Sequence, residues 1–112
     1  MNCESLNAPF STADADNPSL QYLDGDLRLG FIDWQEKQVS IRFPKAAAFC
    51  WQQEAQISAE VRDDTSYEVV DSPWRAELTA LGAIEPSHRH YKLCFNACGV
   101  LDVISFELVV ES

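Results

Sequence analysis

The segment HRHYKLCFNACG, residues 88 to 99, holds both histidines of the chain and two of its four cysteines. Three chemistries use such residues. Imidazole and thiolate together coordinate zinc, a thiol pair can exchange electrons, and a thiolate beside a histidine base can attack a carbonyl. The spacing argues against each. On an extended strand His88, His90, Lys92 and Cys94 point to one side. His90 and Cys94 then stand roughly 13 Å apart, too far for zinc bonds of roughly 2 Å. Lys92 projects between them and repels a cation. Cys94 and Cys98 do not form a C-x-x-C pair, and no helix opens at either to lower a thiol pKa. Nothing obliges Cys50 or Cys94 to meet a histidine that a further group orients. No metal ligand, cofactor or catalytic residue is therefore expected, and the protein is not expected to be an enzyme. A Cys/His hydrolase is the weakest of the alternatives.

Carboxylates cluster at Asp63, Asp64, Glu68 and Asp71, with Arg62 the only basic residue among them. General acid–base chemistry needs two carboxyls in a cleft that separates their pKa values. In a turn such residues are solvated charges. The four glycines stand at isolated positions, so no phosphate-cradling loop is present.

The elements that would position these residues are mostly strands. In LDGDLRLGFIDWQEKQVSIRF, Leu27, Leu29 and Phe31 alternate, and so do Val39, Ile41 and Phe43. Alternation on both sides of a polar break predicts a hairpin. Both apolar sets carry odd numbers, so facing pairs have even sums and the loop around Trp34 to Gln38 has odd length. In HYKLCFNACGVLDVISF a loop of Ala97, Cys98 and Gly99, with Gly99 left-handed, would face Phe95 to Leu101 and Leu93 to Val103. Ser72, Pro73 and Gly82 bracket the one clear helix, residues 72 to 81, with Trp74, Leu78 and Leu81 on one face. Residues 46 to 56 read both ways. Three alanines favour a helix, whereas Phe49 and Trp51 on alternate positions favour a strand over about 48 to 54. The expected fold is α+β. A mainly antiparallel sheet of about five or six strands, built of hairpins, packs one short helix. Ile104, Phe106 and Leu108 lie opposite Leu101 and Val103 on the last strand, so both its faces are apolar and one could serve a dimer. Residues 1 to 19, rich in small polar residues, are expected to form a flexible tail docked through Phe10. Residues 20 to 112 form the single domain.

A net charge of −10 and a pI near 4.4 disfavour nucleic acid and anionic membranes, and favour a basic partner. No apolar run is long enough to span a membrane. The polar opening MNCESLNAPFSTADADNPS is not a secretion signal, so the expected compartment is the cytoplasm, where Cys3, Cys50, Cys94 and Cys98 stay reduced.

The order LDGDLRLGF, VSIRFPKAAAFCWQQE, YEVVDSPWRAEL, HYKLCFNACGVLDVI, from Leu20 to Val110, resembles small acidic bacterial immunity-type proteins encoded beside polymorphic toxins. The resemblance implies binding and inhibition of a cognate toxin and supplies no catalytic residue. The expected function is thus a small acidic protein-binding domain. Asp63, Asp64, Glu68 and Asp71 would steer the partner, and Trp34 would anchor it. An accessory or self-assembling structural subunit is the alternative.

Overall fold

The computed structural model describes residues 3–6, 9–53, 65–95 and 99–111. Among them, nine strands and one helix form two antiparallel sheets packed face to face. One sheet contains β1 (Cys3–Ser5), β6 (Ser66–Val69), β7 (Arg89–Phe95), β8 (Gly99–Ser105) and β5 (Ala48–Gln52), in that spatial order. The other contains β2 (Asp16–Leu23), β3 (Asp26–Ile32), β4 (Gln38–Phe43) and β9 (Val109–Val110). The class, mainly antiparallel β with a single short helix α1 (Pro73–Ala80), is the expected one.

The division into two sheets differs from the single sheet of five or six strands expected. Its cause is the two alternating apolar faces. Leu27, Leu29, Phe31, Val39, Ile41 and Phe43 form one, and Tyr91, Leu93, Phe95, Leu101 and Val103 the other, all buried in one core. A short helix cannot cover either face, so each covers its counterpart. Phe31 meets Phe95 edge-on at a ring separation of 5.2 Å, and Phe43 meets Tyr91 at 6.0 Å.

The β3–β4 hairpin pairs Leu27 with Phe43, Leu29 with Ile41 and Phe31 with Val39, joined by residues 33–37. The sums are even and the loop is odd, as the alternation requires. The β7–β8 hairpin is offset by two residues from the expected register. Leu93 faces Leu101, Tyr91 faces Val103 and Phe95 faces Gly99. A two-residue offset leaves every side chain on its expected face, so the apolar pattern is blind to it. The expected loop residues Ala97 and Cys98 lie outside the described residues, as do Asp63, Asp64 and residues 54–56.

The stretch expected to be a loose tail contributes β1, paired to β6, and the start of β2. Phe10 does dock, edge-on to Phe31 at 6.3 Å, and Thr12 and Ala15 are buried beside that contact's chain segment. Residues 48–52 form the strand β5 against β8, because ladder pairing and the alternating Phe49 and Trp51 override alanine's helical preference. The helix begins after Ser72, which accepts a hydrogen bond from the Arg75 N–H at 3.0 Å, with Pro73 at its first position. Its expected apolar stripe is not buried. Trp74 and Leu78 are half-buried, and Leu81 is 73% exposed. What fastens the helix is polar.

Candidate functional site

Two places on the described surface bring together groups capable of recognition or chemistry. The first is the outer face of the β6–β7–β8–β5 sheet, away from the core. Alternation puts His90 and Lys92 of β7 there, and Asp102 of β8 beside them, since Lys92 and Asp102 are directly paired. The His90 Nε2–H donates to Asp102 Oδ1 at 2.7 Å. Asp102 is ionised and can only accept, so in the neutral imidazole the other ring nitrogen, Nδ1, accepts from the Ser72 hydroxyl at 2.6 Å. Lys92 Nζ lies 3.1 Å from Asp102 Oδ2. Burial raises the Asp102 pKa, but the His90 hydrogen bond and then the Lys92 charge outweigh it, holding the carboxyl below the usual carboxylate range.

Ser72, His90 and Asp102 share the residue types of an acyl-transfer triad. Access separates them from one. Ser72 is only 3% exposed and its oxygen already accepts the helix's Arg75 N–H. The relay therefore joins the start of α1 to the sheet. Trp74 adds an edge-on contact with the His90 ring at 5.3 Å, and Arg75 Nε donates to the His88 carbonyl at 2.8 Å. His88 is also fully engaged. Its Nδ1 accepts from the Glu85 N–H at 2.9 Å, its Nε2 donates to the Lys45 carbonyl at 3.2 Å, and Phe106 packs on the ring. Cys94 is buried, and among the described residues no three His, Cys, Asp or Glu side chains are grouped to hold a metal ion.

Ser72→Ala removes both the cap and the hydroxyl that satisfies buried His90. The expected cost is about 2–3 kcal/mol, combining roughly 1 for the cap with 1–2 for the unpaired ring nitrogen. Chemical denaturation reads it directly. A loss no larger than a surface substitution would show that the relay does not hold the helix.

The second place is the β3–β4 loop. Asp33 Oδ1 accepts from the N–H groups of Gln35 and Lys37, both at 2.9 Å, and this closes the loop around Trp34. Trp34 is 59% exposed. It lines a recess of about 520 Å³ with Asp14, Asp16, Ile32, Asp33 and Glu36. Asp14 comes from the turn before β2 and Asp16 opens that strand, so the tail's acidic residues and the loop's indole share one surface.

The other site residues expected from sequence are placed elsewhere. Glu68 is half-buried on β6, with Arg89 Nη1 3.5 Å from its carboxylate. Asp71 is exposed in the turn before α1. Neither lines the Trp34 recess. The acidic residues that do line it were legible only as composition, in TADADN and DWQEK. The Ser72–His90–Asp102–Lys92 group had a faint signal, a lone aspartate within the apolar run GVLDVIS.

No protein-family model, no curated protein and no solved structure matches the chain.

Proposed function

We propose that this protein binds a basic protein partner and inhibits it, as the immunity-type proteins it resembles do with their toxins. The observation that carries the reading is Trp34, more than half exposed on a turn and lining one recess with four carboxylate residues. An indole so placed costs solubility and does nothing for the core. At an interface it contributes rigid, amphipathic contact area. The surrounding carboxylates attract a basic surface and align it before contact. With a charge of −10 the whole chain adds to that field, and the cytoplasm is the compartment this reading assigns.

The test is co-expression with the product of the adjacent gene, followed by purification and binding kinetics. Trp34→Ala is expected to weaken the complex by about 2–4 kcal/mol, roughly 30- to 1000-fold, mainly through faster dissociation. Asp14→Lys with Asp16→Lys is expected to slow association instead, and raised salt to slow it in the unmodified protein. Equal killing by the toxin with and without this protein, and no isolable complex, would refute the inhibitor reading.

A second reading, a self-assembling or accessory subunit, draws on a different patch. Tyr22 of β2 and Phe49 of β5 meet at a tilted ring separation of 5.8 Å across the edges of the two sheets, and Leu23, next in the chain to Tyr22, is 69% exposed. Sedimentation at micromolar concentration distinguishes it, since a monomer throughout leaves this patch without a self-contact.

A further inference from the structure

The charged group under helix α1 is also the floor of a recess of about 340 Å³, a volume typical of small-ligand sites. Cys50, Gln52, Trp74, His90, Lys92 and Asp102 line it. The strand register explains the assembly. Lys92 pairs with Asp102 and Asp102 with Cys50, so β7, β8 and β5 each place one residue in a single row. His90 lies one pleat along β7, and Trp74 overhangs it from the helix.

An ion pair drawn this far out of water gives little net stability. Apolar side chains of similar volume would serve the fold as well or better. The side chains of Lys92 and Asp102 are only 19% and 14% exposed, yet they front an open cavity. They are also braced from behind. Asp102 is oriented by His90, His90 by Ser72, and Ser72 by the first turn of the helix. A pair of polar groups on central strands, held by a second layer of hydrogen bonds, is how a recognition site is kept in shape.

The ligand's chemistry follows from the groups that still have capacity. Lys92 has three N–H donors and spends at most two on Asp102, leaving a donor for the recess. Asp102 has more lone pairs than the His90 and Lys92 bonds use, leaving an acceptor beside that donor. The two formal charges cancel. An anion would meet the Asp102 carboxylate and the field of an acidic chain, and a cation would meet Lys92. A neutral partner with complementary groups meets neither penalty.

We propose that this recess binds a small, neutral, planar molecule carrying a carbonyl next to an N–H, of the lactam or free-nucleobase class. The carbonyl accepts from Lys92 Nζ, the N–H donates to Asp102, and the ring lies along Trp74. Phosphorylated nucleotides are excluded by their charge. The site lies on the sheet opposite to the one that carries Trp34, and it does not depend on the partner-binding reading.

Uracil is the probe, with benzoate and benzylammonium as anionic and cationic controls. The full chain is titrated with each while two-dimensional NMR follows the Trp74 indole N–H and the Asp102 amide. Saturable shifts of both signals with uracil are expected, with neither control binding as tightly. Lys92→Met is expected to weaken uracil binding about tenfold or more, the loss of one well-placed hydrogen bond from a charged donor. Cys50→Trp fills the recess from the rim beside Asp102 while keeping both Lys92 and Asp102 in the chain, and is expected to abolish the shifts. It keeps the proposal testable if Lys92→Met does not fold, which circular dichroism reports. Absence of saturable shifts with uracil, undiminished binding to Cys50→Trp, or tighter binding of either charged control would overturn the assignment.

Discussion

Asp102→Ala is expected to destabilise the protein by about 3–5 kcal/mol, the usual cost of deleting one partner of a buried ionic group. The carboxylate is the hub of the outer-face network. Without it, the His90 Nε2–H loses its acceptor and the half-buried Lys92 ammonium loses its counter-charge. His90 then no longer presents Nδ1 firmly to Ser72, so the helix start loosens as well. The effect has a pH signature. The folded-state pKa of Asp102 lies below its unfolded value, because the His90 hydrogen bond and Lys92 outweigh the effect of burial. Stabilisation from such a group is complete above the unfolded carboxylate pKa of about 4 and is lost as pH falls through the lower folded value. The Asp102 carboxylate's share of the gap between the unmodified protein and the variant should therefore be complete above about pH 5 and close as pH falls further. Urea unfolding across that range measures it. A gap below about 1 kcal/mol, or one that persists unchanged in acid, would mean that the network is not electrostatically coupled as described.

Gly99→Ala is expected to cost about 2–4 kcal/mol, summing steric intrusion of 1–3 with a backbone strain of about 1. A methyl group at this position would lie 2.5 Å from the Gln52 carbonyl oxygen and 3.0 Å from the Trp51 ring. The backbone φ of +151° is one that side chains rarely adopt. The oxygen belongs to the end of β5 and cannot swing away as a flexible side chain would. Relief requires β5 to part from β8 at that end, where it also carries Trp51 against Phe95. Gly25→Ala gives the contrast. Its φ is +83° but its added methyl meets nothing within 4 Å, so only the conformational cost of about 1 kcal/mol remains. Comparable losses for the two variants would show that β5 does not press on Gly99.

Gly99 also shows where local reading ends. In the sequence it stands at the third position of a short hairpin loop, where a left-handed glycine is ordinarily wanted. In the fold it opens β8, faces Phe95, and needs to be glycine because a third strand passes close by. Side-chain alternation has a period of two, so it cannot distinguish the expected register from one offset by two residues. That choice rests on which strand lies alongside, and β5 comes from more than forty residues earlier in the chain.

The residue sequence by itself determined the faces. Leu27, Leu29, Phe31, Val39, Ile41 and Phe43 had to point one way because alternation in a strand admits no other arrangement, and Ser72, Pro73 and Gly82 bracket the helix by purely local chemistry. It also determined the acidity of the chain, a net charge of −10. Tertiary structure alone decided which face meets which, and so produced two sheets instead of one. It alone brought Ser72, His90 and Asp102 together from a helix cap and two strands, and set Asp14 and Asp16 beside Trp34. The physical reason is the range of the interactions. Propensity, capping and alternation act over a few neighbouring residues, whereas the pairing of sheets and the meeting of polar side chains are settled by burial summed over the whole chain.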